Sequence, residues 1–191
     1  MSHKDSNLVE NFRRRAPRVI YEFTCIGLDG KIKWEDKCPN IVTNEGLNSL
    51  LDFICGNVET PANVYVVLNK NDDAVSASMV YATQGLSANQ WSEVTTISEA
   101  TRVVWTHGSV SSQSVSNSAS TASFSISGTV TVYGAGLVYS PSDSANISVI
   151  GNTAVSDGVL YSIGAFSSSR AVESGDTLQV TATITTADDG V

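Results

Sequence analysis

The stretch Asn40-Ile41-Val42-Thr43-Asn44-Glu45-Gly46-Leu47-Asn48-Ser49-Leu50-Leu51-Asp52-Phe53-Ile54-Cys55-Gly56 reads as one short amphipathic helix in a chain that otherwise reads as strands. Thr43 or Asn44 can cap its start, because a short side-chain oxygen accepts a first-turn N–H that has no partner within the helix. Leu47, Leu50, Leu51 and Ile54 recur at i, i+3, i+4 and i+7, which draws one apolar stripe down one side. Gly56 stands just past the last apolar residue, where a left-handed stop is wanted. A single helix beside many strands predicts a mostly β domain. The stripe is expected to cover one face or open end of the sheet.

Strands are predicted on both sides of this segment. Val19–Leu28 and Lys31–Glu35 form a hairpin around Asp29-Gly30, a pair suited to a two-residue turn. Val19, Tyr21, Phe23 and Cys25 share one face of the first strand. Trp34 closes the second strand, and Pro39 ends the hairpin. Asn63–Leu68 reads as a strand buried on both faces. Residues 70–98 are loop-rich, with a short helix near Ser76–Thr83, and Arg102–His107 is a strand. Ser109–Gly128 holds ten serines, but Ala122, Phe124 and Ile126 alternate with Ser123, Ser125 and Ser127 at period two, which is strand patterning and not a linker. In the strand Thr129–Tyr139, Gly134 and Gly136 predict a bulge or a close backbone approach. Asn146–Ile150 reads as a short strand, followed by Val159–Phe166 and Thr177–Thr185, the last with Leu178, Val180, Ala182 and Ile184 facing inward. Many short, Ser- and Thr-rich strands of this kind predict a jelly-roll-like antiparallel β-sandwich over residues 19–186. Residues 1–18 are expected to be an extended basic arm and residues 187–191 a polar tail.

The 191 residues carry a net charge of −8, unevenly spread. Residues 1–38 hold eight basic against six acidic groups, and the remainder holds three against thirteen. A basic front on an acidic body predicts that Arg13, Arg14, Arg15 and Arg18 meet carboxylates of a partner. The acidic body argues against nucleic acid as that partner. No run approaches the about 18 apolar residues of a membrane span, so no membrane partner is expected. With no secretory leader pattern, synthesis in the cytoplasm is the expectation.

Catalytic and metal patterns are sparse. His107 ends a strand, and no Gly-x-Ser-x-Gly elbow accompanies it. Asn69, Asn71 and Asp73 are spaced like the start of a calcium loop, but Val80 stands where the bidentate glutamate belongs. Cys25, Cys38 and Cys55 match no metal spacing and read as free buried thiols. No enzyme activity, cofactor or metal is expected.

The order of these motifs carries a resemblance. After the Asp-Gly hairpin, Trp34 and the helix come Tyr65-Val-Val-Leu68, Trp91-Ser-Glu-Val94, Glu99-Ala-Thr-Arg-Val-Val-Trp105, Gly158-Val-Leu-Tyr-Ser-Ile-Gly-Ala-Phe-Ser-Ser-Ser-Arg170 and Ser174-Gly-Asp-Thr-Leu-Gln-Val180. Over residues 20–186 the chain resembles a family of small structural proteins of tailed bacteriophages. The resemblance implies a capsid cement (decoration) protein on the virion exterior, bound to the major capsid protein and assembled as a homotrimer. A fibre-like receptor- or glycan-binding virion module is the alternative it implies. The arm lies outside the shared pattern, so its role rests on charge alone.

Overall fold

A computed structural model describes residues 17–85, 90–151 and 153–186. Most of the arm, including Arg13, Arg14 and Arg15, and the tail 187–191 lie outside the described residues. The elements run β1 (Arg18–Ile26), β2 (Ile32–Val42), α1 (Asn44–Cys55), β3 (Val64–Asn69), β4 (Val103–Val104), β5 (Ser114–Ser116), β6 (Ala122–Ser125), β7 (Val130–Tyr139), β8 (Val159–Val172) and β9 (Thr177–Thr185). Two short 3-10 turns occupy Tyr81–Thr83 and Ala145–Ser148.

The strands form one antiparallel sheet in the order β4-β3-β7-β8-β2-β1-β9-β5, with β6 also on β9. β5 pairs with β9 from Ser114↔Thr185 to Ser116↔Thr183, and β6 pairs with residues 177–180, so the two lie end to end along one edge of β9. The sheet curls because β2 serves two neighbours in turn. Its residues up to Pro39 pair with β1, and Asn40–Val42 pair with Ser162–Gly164 of β8. Pro39, expected to end the hairpin, instead sits inside β2 where the strand changes partner. A residue without an N–H is tolerated where ladder pairing is handed over.

Curling brings the inward faces of both halves into one core. Tyr21, Phe23 and Cys25 of β1 and Leu178, Val180 and Ala182 of β9 join Val66, Leu68, Ala135 and Leu137 from the other half. The alternation read from β1, β6 and β9 supplies this face. The β3-β7-β8 half is also covered on its outer side, where Val67, Val138, Leu160 and Ile163 pack under Met79, Tyr81, Trp91, Ile147 and Val155 from the long loops. Double burial explains why β3 is apolar without alternation.

The glycine expectation in β7 holds. Register shifts occur between Val132 and Gly134 and between Leu137 and Val138. A Cβ on Gly134 would overlap the Gly164 carbonyl oxygen, so β7 and β8 meet there backbone to backbone.

Several local readings are corrected. The β1–β2 connection is not a two-residue turn: Gly27 N–H donates to Lys31 O at 2.8 Å and encloses three residues, Leu28, Asp29 and Gly30, Gly30 N–H donates to Gly27 O at 2.9 Å, and within this loop Gly30 alone takes positive φ (77°). A three-residue loop ending in a left-handed glycine satisfies the strand twist as a two-residue turn would. The segment 145–148 is a 3-10 turn and not a strand, and the helix expected near residue 76 is confined to Tyr81–Thr83. The strand expected over 102–107 contracts to Val103–Val104, because β4 pairs only with Tyr65 and Val66 of β3.

The largest correction concerns α1. Its protein-facing side is Gly46 and Ser49, with Phe53 against the Tyr139 ring at 5.9 Å. Of the stripe expected to cover the sheet, Leu47 and Leu50 are half-buried at the margin of that side, while Leu51 and Ile54 turn outward, 59% and 74% exposed. The reason is at the helix start. Thr43 accepts from Gly46 N–H at 2.9 Å and donates to Leu160 O, and the Glu45 carboxylate accepts from Tyr81 N–H at 2.8 Å and Leu160 N–H at 2.7 Å. These anchors press the first turn onto the Tyr161 backbone, which only the Cβ-less side at Gly46 can approach.

Candidate functional site

Arg18 is the one arginine of the expected basic set within the described residues. It opens β1, exposed, opposite Thr185 of β9. Beside it the Val19 N–H donates to Asn40 Oδ1 at 2.8 Å, three residues before the Thr43 cap. The chain therefore enters the sheet at the end that carries α1.

That end is acidic. Residues 38–69 and 140–158 contain Glu45, Asp52, Glu59, Asp143 and Asp157 and no lysine or arginine. Two adjoining surface cavities of about 550 and 410 Å³ open here, sharing Val58 and Pro141. The first runs along the polar flank of α1, past Asn44, Asn48 and Asp52. The second is bounded by Glu59 and Asp157. Burial pushes the Glu45 carboxyl above its ordinary value, against the two backbone N–H groups it accepts. Burial would likewise raise Asp157, but hydrogen bonds from Ser142 and Ser140 hold it below the ordinary carboxylate range.

A buried ion pair underlies the loops beside this groove. Arg102 is 2% and Glu93 4% exposed, with Nη2 to Oε2 at 2.8 Å and Nε to Oε1 at 2.9 Å. Arg102 Nη1 also donates to Tyr81 Oη at 2.8 Å and Ile147 O at 2.6 Å. Gln84 Nε2 and Gly151 N–H both donate to Glu93 Oε2. Burial opposes the charge on Arg102, but Glu93 and Tyr81 outweigh it and the guanidinium is held more firmly protonated than usual. Both carboxylate oxygens and both terminal guanidinium nitrogens are engaged in tying the covering loops together, so the pair is a structural clamp. Sequence reasoning misses it. The available signal is a charged residue heading each of two otherwise apolar segments, Glu93-Val94 and Arg102-Val-Val-Trp105.

The remaining candidates resolve into structure. Asn69, Asn71 and Asp73 turn their side-chain oxygens onto backbone donors: Asn69 Oδ1 takes Asn71 and Ser92 N–H, Asn71 Oδ1 takes Asp73 N–H, and Asp73 Oδ2 takes Gln90 N–H. Ladders of this kind stabilise a loop and leave no converging oxygens for a cation. Among the described residues no cluster of three His, Cys, Asp or Glu side chains is placed to hold a metal. His107 is exposed, its Nδ1 at 2.8 Å from Gly108 O and its ring tilted at 39° to that of Trp105, centroids 4.8 Å apart. Cys25 and Cys38 are free and buried, and burial pushes their thiols up to about 11 and about 12. They sit at different registers of the hairpin, opposite Trp34 and Tyr21. Cys55, expected to be buried, is exposed because the α1 stripe it flanks faces outward. No described helix is long and apolar enough to cross a membrane.

Comparison of the chain with protein-family models gives no match, and comparison with curated protein sequences gives none either.

Proposed function

We propose that this protein is a capsid cement protein of a tailed bacteriophage, a jelly-roll-like sandwich that binds the outside of the head, bridges major capsid subunits and acts as a homotrimer. The phage context comes from the resemblance of residues 20–186. The mechanism is supported chiefly by one observation: a basic leading segment enters an acidic body at the exposed start of β1. Arg13, Arg14, Arg15 and Arg18 would pair with capsid carboxylates, for which the planar guanidinium is better suited than an ammonium. Each contact would be modest, and joining several copies on a repeating lattice multiplies them through effective concentration. The rigid antiparallel sheet gives the arm a fixed point from which to reach a neighbour.

A glycan-binding fibre module is the second reading, favoured by the amide- and carboxylate-lined groove along α1. Quantitative mass spectrometry of purified particles separates the two, because cement is present in copies comparable to the major capsid protein and a fibre in a small fraction of that. Removing residues 1–16 tests the arm while leaving β1 whole. Loss of head occupancy is expected, and unchanged occupancy would refute the docking role.

A further inference from the structure

The apolar side of α1 is unexplained by the core. Leu47 and Leu50 are half-buried, while Leu51 and Ile54 project into solvent. The same end of the molecule is where the first 16 residues leave off. The Val19 N–H donates to Asn40 Oδ1 at 2.8 Å, and the α1 cap, Thr43, follows three residues later. From Leu47 to Ile54 the helix advances only about 10 Å. Six residue steps separate Arg18 from Phe12, enough for roughly 20 Å of extended chain. Residues 8–12, Leu8-Val9-Glu10-Asn11-Phe12, are the apolar part of an otherwise polar segment. Charge agrees as well. Residues 1–16 hold four basic against two acidic groups, and the segments that build this end hold five carboxylates and no base.

We propose that the Leu47-Leu50-Leu51-Ile54 side of α1, open to solvent at Leu51 and Ile54, is the dock for the chain's own segment Leu8–Phe12, bound intramolecularly. Leu8, Val9 and Phe12 remove the stripe from water, and Arg13, Arg14 and Arg15 are then held in the short span between the dock and β1. This goes beyond the cement reading, and only its consequence rests on that reading: a pre-ordered arginine strip loses less conformational freedom on meeting a partner.

Cys55 reports on the dock without added labels. It lies four residues past Leu51, so the two side chains are neighbours on the helix surface, and it is the exposed thiol beside two buried ones. In the full-length protein, the rate of Cys55 modification by a maleimide is expected to be low and independent of protein concentration. In the triple variant Leu8→Ser, Val9→Ser, Phe12→Ser it should rise roughly tenfold, as a millimolar effective concentration acting on a site of about 0.1 mM affinity requires. An equal rate in both proteins overturns the proposal. A rate that falls as the full-length protein is concentrated also overturns it, since a second copy then covers the face. As an independent arm, the Phe12→Cys variant treated with oxidised glutathione should form a disulfide between position 12 and Cys55 within monomers, read on non-reducing gels; crosslinked dimers, or no crosslink, count against it. None of these readouts involves a capsid, so the dock and the cement function fail separately.

Discussion

At the residue scale, two ionic sites govern stability in different ways, one with both members buried and one with buried Asp176 held by the half-exposed Lys33. The Arg102–Glu93 pair is fully enclosed, so removing one member leaves a charge with no water to solvate it. Arg102→Met is expected to lower the unfolding free energy by about 3–5 kcal/mol, read by urea denaturation monitored through tryptophan emission. Adding Glu93→Gln should restore part of that loss, because the orphaned carboxylate is then gone; a double variant less stable than Arg102→Met alone would contradict the clamp. Asp176 acts through pH. Burial alone would raise its pKa, but the Glu173 N–H at 2.9 Å and the Lys33 ammonium at 2.9 Å hold it below the ordinary carboxylate range. A carboxylate depressed in the folded state adds stability above its unfolded value of about 3.9, and that contribution disappears as pH falls through the folded value. Glu45 runs the other way: its raised value favours the folded state at low pH, and that advantage is lost as pH rises through it. Asp176→Asn should therefore flatten the acid limb of a stability–pH curve taken from roughly pH 6 to pH 3. An unchanged acid limb would mean that Asp176 is not depressed.

At the scale of single elements, α1 shows how a correct helix can have the wrong face assigned to the core. Its limits, Thr43 cap and Gly56 stop follow from side-chain chemistry next to the chain, with Gly56 at φ 71° and its N–H on Phe53 O. Its orientation follows from contacts with Leu160, Tyr161 and Tyr81, more than thirty residues away, and no periodicity reports those. Gly46→Ala tests this. Alanine favours a helix by about 1 kcal/mol over glycine, yet its Cβ would collide with the Tyr161 carbonyl oxygen and stand 2.8 Å from Tyr161 Cα. The substitution is expected to destabilise by about 1–3 kcal/mol, while the exposed Asn48→Ala stays within about 0.5 kcal/mol of wild type. Calorimetric melting that ranks Gly46→Ala above wild type would place the first turn away from β8. The same division between near and far explains the other elements. Strict alternation exposes β1, β6 and β9 in the sequence, since a half-buried strand writes its inner face at period two. Sequence pattern ends β2 at Glu35 and β8 at Phe166, because the continuation of β2 exists through pairing with β1 up to Pro39 and with β8 over Asn40–Val42, and the end of β8 through pairing with β7. β5, Ser114–Ser116, has only Val115 as an apolar residue, too little for a period-two pattern, and is a strand because β9 offers it an edge. Of the candidate site, the arginine cluster is legible as charge, whereas the groove and the Arg102–Glu93 clamp need the loops brought together.

At the scale of the whole molecule, β9 closes the fold. It pairs with β1 along all nine residues, from Arg18↔Thr185 to Ile26↔Thr177, and its other edge holds both β5 and β6. Three strands thus depend on β9. The Trp105 indole N–H also donates to Ala182 O at 3.1 Å, and the buried Asn117 side chain bonds to the Val180 carbonyl and the Ala182 N–H. A chain stopped after Asp176 leaves those groups and one full edge of β1 without partners, in the half of the molecule that contributes Tyr21, Phe23 and Phe124 to the core. It is expected to lose cooperative melting and the near-ultraviolet dichroism of its aromatic residues, while a chain stopped after Thr186 keeps both. Joining residue 18 to residue 185 also requires closing nearly the whole chain, so refolding from urea should fall in the millisecond-to-second range of non-local β topologies. Cooperative melting of the chain ending at Asp176 would show that the β3-β7-β8 half, covered on its outer face by the clamped loops, folds by itself, and the closing strand would then be a late addition to an independent core.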